Sequence, residues 1–151
     1  MRDLKIVKAP NNRRTLDAGH SHPENSRSGE LARVVWPAFK YYSQLKKLHS
    51  HVSEHPSETL SLKEAAGIAS MEESYFSDFF HRNVGVPYKW WMDFIRIRRA
   101  TKLIEDFDSS ITEVALDSGF TDSTTFTRTF RRVIGITPRD YRRRVHAHRT
   151  R

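Results

Sequence analysis

The sequence predicts an all-α protein whose second half is built from two similar helical units. No segment alternates apolar and polar residues, as a strand would, over more than a few positions, while from about residue 38 onward apolar residues recur at helical spacing. The later part of the chain also repeats itself. Leu62-Lys63-Glu64-Ala65-Ala66 is echoed 49 residues on by Ile111-Thr112-Glu113-Val114-Ala115, and Phe76, Phe80, Arg82 and Gly85 return 50 residues on as Phe126, Phe130, Arg132 and Gly135. The slip of one places an extra residue in the second copy, near Asp122 to Thr125.

Residues 1–33 are polar, broken by Pro10, Gly19 and Pro23, and lack periodicity, so a poorly ordered tail is expected ahead of a domain over 34–146. A helix from Ala38 to Val52 puts Phe39, Tyr42, Leu45, Leu48 and Val52 on one stripe. His55-Pro56-Ser57 ends it, because a residue before proline is pushed out of the α region. The first copy, about 61–83, reads as a helix over 61–69, a turn at 70–72 and a helix over 73–82. A long helix over 87–106 follows, with Trp90, Phe94, Ile97, Thr101 and Ile104 along one face and Trp90 and Trp91 expected in the core. The second copy, about 110–133, gives helices near 110–117 and 122–133. A last helix starts by Pro138, and 147–151 is expected to be a basic tail with Arg149 and Arg151 in solvent.

Composition narrows the function. The 151 residues include no cysteine, so there is no disulfide framework, thiolate metal site or thiol nucleophile. No apolar run approaches the roughly 20 residues that span a bilayer, and the N-terminus has no secretory h-region, so a soluble cytoplasmic chain is expected. Glycine-rich phosphate loops and nucleophile elbows are absent, and no enzyme or cofactor is expected. His49 and His51 are two apart and face different sides of a helix. With His20, His22 and His55 they read as solvated histidines, and no metal site is expected. The net charge of +8 favours an anionic partner. Its placement says more: from Arg128 to Arg151 nine arginines face one acid, Asp140.

Each copy has the spacing of a helix-turn-helix. Small residues (Ala65, Ala66; Val114, Ala115) let a second helix cross the first closely, and Gly119 supplies a turn conformation that side chains resist. Thr121 is suited to cap the next helix. Phe126 and Phe130, at i and i+4, pin that helix to the core, which leaves Ser123, Thr124, Thr127 and Arg128 facing outward. Gly135 ends it. Hydroxyls that pair with any base, plus an arginine that pairs bidentately with guanine, suit a major groove.

The segments Gly119-Phe120-Thr121-Asp122, Phe126-Thr127-Arg128, Phe130-Arg131-Arg132, Gly135-Ile136-Thr137-Pro138 and Tyr141-Arg142 resemble the signature of the AraC/XylS transcription regulators. Tyr75-Phe76-Ser77, Arg96-Ile97-Arg98-Arg99-Ala100 and Leu103-Ile104 agree, and the likeness covers about residues 38–144. It implies homeodomain-like helix-turn-helix subdomains joined by a long linker helix, reading adjacent major-groove segments of double-stranded DNA. By the same resemblance Ser123, Thr124, Thr127 and Arg128 fall where bases are read, while Arg131, Thr137, Arg139 and Arg142 fall near phosphates, where contacts set register. The repeated arginines Arg82 and Arg132 are grouped with the phosphate contacts. An activator role and a contact with RNA polymerase are implied by the family alone. Many members carry an effector domain ahead of this module; a complete chain of this length would act as a monomer.

Three positions depart from the family pattern. Ser70 stands where glycine is usual, Glu72 where a Ser or Thr cap is expected, and Asp78 where the second copy has Arg128. Asp78 can accept from cytosine N4 or repel DNA. The first copy, with Ser74, Ser77, Asp78 and His81 exposed, is therefore expected to be the weaker reader. Asp78, Glu72 and Glu73 also keep an alternative open: a protein-interaction module that sequesters a regulator or polymerase subunit.

Overall fold

The computed structural model describes residues 33–106 and 109–149. The expected tail over 1–33 lies almost entirely outside them, as do Thr150 and Arg151. Among the described residues there are eight helices and no strand: α1 (Ala38–Tyr41), α2 (Ser43–Glu54), α3 (Leu62–Ile68), α4 (Glu73–Val84), α5 (Tyr88–Asp106), α6 (Ile111–Asp117), α7 (Ser123–Ile134) and α8 (Pro138–Arg149).

Two expected elements are corrected. The helix expected over 38–52 is two helices, broken where Tyr42 takes an extended conformation (φ −93°, ψ 120°). Tyr42 and Ser43 are weak helix formers. The break lets Phe39 stack on Trp91 at 5.2 Å while Tyr42 meets Phe79 edge-on at 5.4 Å. At the other end α8 runs through Arg149, so the tail expected from 147 begins as helix.

α5 belongs to two cores. Its first half contributes Tyr88, Trp91 and Met92 to a core with Phe39, Leu45, Leu48, Phe76, Phe80 and Val84. Its second half contributes Ile97, Ala100 and Ile104 to a core with Val114, Ala115, Phe120, Phe126 and Phe130. A helix buried by different partners at its two ends has no single apolar stripe. That is why Trp91 is fully buried and Trp90, placed on the core stripe by spacing, is half-buried and stacks on Phe94 instead. Thr101 likewise yields to Ala100, which is fully buried.

The copies correspond in local detail. Ser61 and Ser110 each cap a helix in a reciprocal box with the glutamate three residues on, Glu64 and Glu113. Both carboxyls are held below the usual glutamate range, chiefly by the cap residue's backbone N–H. In the turns, Met71 N–H donates to Ala66 O and Phe120 N–H to Ala115 O, and Ser70 and Gly119 both take left-handed backbone, φ 55° and 85°. Glycine adopts that conformation freely and serine at some cost. α4 and α7 both stop at left-handed glycines, Gly85 and Gly135.

These equivalences locate the extra residue at Thr121, between Phe120 and the cap. The cap of α7 is therefore Asp122, whose carboxylate accepts from Thr125 N–H at 2.7 Å, and not Thr121. Its counterpart is Glu72, which accepts from Tyr75 N–H at 3.1 Å. Both recognition helices begin with a carboxylate, so Glu72 is no asymmetry between the copies. These backbone donors hold both carboxyls below their usual ranges, and both caps are ionised at neutral pH.

Candidate nucleic-acid interface

α7 is strongly two-sided. Phe126, Thr129 and Phe130 are buried, while Ser123, Thr124 and Arg128 are exposed and Thr127 is half-buried. Together with Arg131, Arg132 and Thr137 at the start of α8, these four residues line one open hollow on the surface. All four predicted base-reading residues of the second copy and three of the predicted phosphate contacts thus meet in one place. The hollow combines short hydroxyls with guanidinium groups.

Two of the predicted phosphate contacts are engaged within the protein, and a third is partly buried. Arg132 Nη2 donates to Asp93 Oδ2 at 2.8 Å, which joins the end of α7 to the linker helix. The Thr137 hydroxyl caps α8, accepting from Asp140 N–H at 3.2 Å and donating to the Asp140 carboxylate at 2.6 Å. Arg142 is half-buried, with Nε and Nη2 sealed from solvent and lacking hydrogen-bond partners, and it is not among the residues of the hollow. It occupies the place that Met92, a core residue, fills in the first copy. Arg139 is exposed on α8, also outside the hollow.

In the first copy Ser74, Asp78, His81 and Arg82 are exposed on α4, and Ser77 is half-buried. They do not gather as their counterparts on α7 do: only Ser77 of these lines a neighbouring hollow, which it shares with Ser61, Pro87, Lys89 and Arg96. Ser74, Ser77, Asp78 and His81 recur at i, i+3, i+4 and i+7, so the four share one helical face. That face carries an aspartate where α7 carries Arg128.

Spacing along the chain gave no sign of the contacts that hold α7 in place. Asp93 is 6% exposed and sits between Arg132 and, at 3.9 Å each, Lys89 and Arg96. The Arg96 guanidinium lies over the Phe120 ring, 5.8 Å from its centroid. Thr59 Oγ1 donates to Gly119 O at 3.1 Å, and Arg99 Nη2 donates to Ser57 Oγ at 3.0 Å. The connection between α2 and α3 therefore touches both the second turn and the linker helix. The one visible signal was an acid, Asp93, inside the apolar run from Trp90 to Phe94.

Asp93→Ala is expected to cost about 1–2 kcal/mol, at the lower end for a charged hydrogen bond because Arg132 is half exposed. It should weaken DNA binding further by loosening α7. Urea unfolding alongside a duplex titration checks both, and Asp93→Asn should recover part of each loss.

The expectation of solvated histidines also changes for two of them. His51 on α2 and His55, the residue that caps its C-terminus, stack at 4.5 Å, and His51 Nε2 hydrogen-bonds Glu58 Oε2 at 3.0 Å.

A shared central helix carrying two helix-turn-helix units, each with an outward-facing second helix, defines a two-headed DNA-binding module. Known proteins agree. A family model described as a helix-turn-helix domain matches residues 65–144, just over half of the chain. The chain is 27% identical over 125 residues to the regulatory protein PocR of Salmonella typhimurium, covering 83% of this chain and 40% of PocR. It is 30% identical over 99 residues to an uncharacterized HTH-type transcriptional regulator of Staphylococcus aureus, covering 66% of this chain and 13% of that protein. It thus spans well under two thirds of the length of either relative. Among solved structures, the DNA-binding domain of AdpA, a global transcriptional factor, in complex with a target DNA matches with TM-score 0.66 at 28% identity. That match covers 70% of this chain and 96% of AdpA's domain. A regulator with an AraC-type DNA-binding domain from Chromobacterium violaceum shares the fold, with TM-score 0.65 at 24% identity over 70% of this chain and 95% of that one. The chain belongs to the AraC-type helix-turn-helix family of DNA-binding transcription regulators.

Proposed function

We propose that this chain is a sequence-specific regulator that reads double-stranded DNA mainly through α7. The observation that carries this reading is the hollow that gathers Ser123, Thr124, Thr127, Arg128 and Arg131 on the outward side of a helix pinned by Phe126 and Phe130. Arg128 is the base reader, pairing bidentately with a guanine, and the three hydroxyls select among neighbouring bases. Arg131, Arg139 and Arg82 neutralise phosphates. Arg132 holds α7 to the linker helix through Asp93, so its part in binding is positioning. α4 lies on the adjacent groove segment as the weaker reader, and one molecule carries both reading helices.

The protein-interaction alternative loses part of its support. Glu72 is occupied as a helix cap, and the second copy has a carboxylate at the same place. A salt titration on selected and random duplexes separates the two. Base contacts add roughly 4–10 kcal/mol over nonspecific binding, so specific complexes outlast salt that strips the nonspecific mode. Equal loss of both duplexes at every salt concentration would sink the regulator reading.

Arg131→Ala is expected to weaken all sequences alike and to reduce the slope of log affinity against log salt by about one unit. Unequal losses among sequences would make Arg131 a base reader. By resemblance to the family we extend the proposal to an activator role that involves RNA polymerase. Transcription in vitro from a promoter carrying the selected site should rise with added protein, and a fall would assign repression.

A further inference from the structure

We propose that His51, His55 and Glu58 form a binding site for a divalent first-row transition ion of the zinc type, at the junction between α2 and the connection to α3. One ligand atom from each of the three lies within 4.8 Å of the other two. His51 and His55 are one helical turn apart, so both rings project from the same side of the end of α2, and the chain turns after Pro56 to bring Glu58 back to them.

The hydrogen bonds suit metal binding. A carbonyl only accepts, so the 3.1 Å contact between His55 Nδ1 and His51 O places the His55 proton on Nδ1. Nε2 keeps its lone pair for an ion, and a ring nitrogen anchored on a backbone carbonyl is the usual companion of a ligating histidine. His51 Nε2 donates to Glu58 Oε2 at 3.0 Å. An ion bound at Nε2 requires the tautomer with the proton on Nδ1, and it then finds imidazole and carboxylate side by side. Zinc binds such nitrogen and oxygen atoms at about 2.0–2.2 Å, which holds neighbouring ligand atoms roughly 3.3–3.6 Å apart. The three ligand atoms, within 4.8 Å of one another, must draw together to reach that spacing. Glu58 and His55 are exposed and His51 is half-buried, so the fourth position is open to water.

The site sits on the connection that touches the second unit. Ser57 and Thr59 flank Glu58, and they hold Arg99 of the linker helix and Gly119 of the second turn. A bound ion therefore fixes the segment that spans the two reading units.

The test is calorimetric titration of the untagged, chelator-treated full chain with zinc chloride, alongside the absorption spectrum of the cobalt(II) form. The expected result is one ion per chain with a tetrahedral cobalt spectrum. His55→Ala and Glu58→Gln should each weaken binding at least about 10–100-fold. Both positions are exposed, and unchanged circular dichroism confirms that the variants are folded. His20→Ala/His22→Ala should leave stoichiometry and affinity unchanged. An absence of saturable binding overturns the proposal, as does binding that survives loss of His55 and Glu58 together or that disappears with His20 and His22.

Discussion

Trp91→Ala is expected to destabilise the protein by about 3–5 kcal/mol, the range for an aromatic side chain removed from a filled core. Trp91 has no exposed surface. Its ring stacks on Phe39 at 5.2 Å and meets Phe80 at 5.5 Å and Tyr88 at 6.1 Å. It joins α1, α4 and the linker helix, so its loss opens a cavity where three elements converge. The indole Nε1 has no hydrogen-bond partner, so the cost is one of packing. Trp91→Phe should therefore be far milder. Trp90→Ala, at a half-buried neighbour, should cost clearly less than Trp91→Ala. Urea midpoints for the three variants check the order. Equal costs at 90 and 91 would contradict the division of the linker helix between two cores.

Arg128→Ala is expected to cost about 1–3 kcal/mol of binding to the selected duplex and to relax specificity at one base position while other positions hold. Arg128 lies in the hollow with Thr124 and Thr127, and removing it takes away the guanidinium that we propose chooses a base. The counterpart, Asp78→Ala, distinguishes two roles for the first copy. If the aspartate accepts from a cytosine, the variant loses discrimination at one position. If it only repels phosphates, affinity rises for all sequences. Uniform weakening by Arg128→Ala would show that Arg128 holds phosphates and reads no base.

Much of this was visible in the chain because the motif is local and occurs twice. Phe76 and Phe80, like Phe126 and Phe130, sit four apart, and that spacing alone assigns an inner and an outer face to each recognition helix. The stops at Gly85 and Gly135 followed from the same pattern. The capping boxes Ser61–Glu64 and Ser110–Glu113 were also present as local signals. What escaped depends on residues far apart in the chain or on a single backbone angle. Asp93 and Arg132 are 39 positions apart and Thr59 and Gly119 are 60, and no periodicity links them. The break at Tyr42 lies within an unbroken apolar stripe, so spacing hid it. Placing the cap at Thr121 instead of Asp122 came from assigning the extra residue one step too late, which only the matching turns could correct. His49 and His51, two apart, face different sides of the helix, whereas the histidines that meet, His51 and His55, are four apart and joined by a carboxylate beyond the proline.

The central claim is that the two reading helices are equal in scaffold and unequal in chemistry. Selection of bound duplexes from a random library tests it most directly. The account predicts two short enriched blocks about one helical turn, roughly 10 base pairs, apart. One block should be sharply defined, with a guanine whose preference disappears in Arg128→Ala, and the other should be weak. Two equally sharp blocks, or no sequence enriched over random DNA, would contradict it.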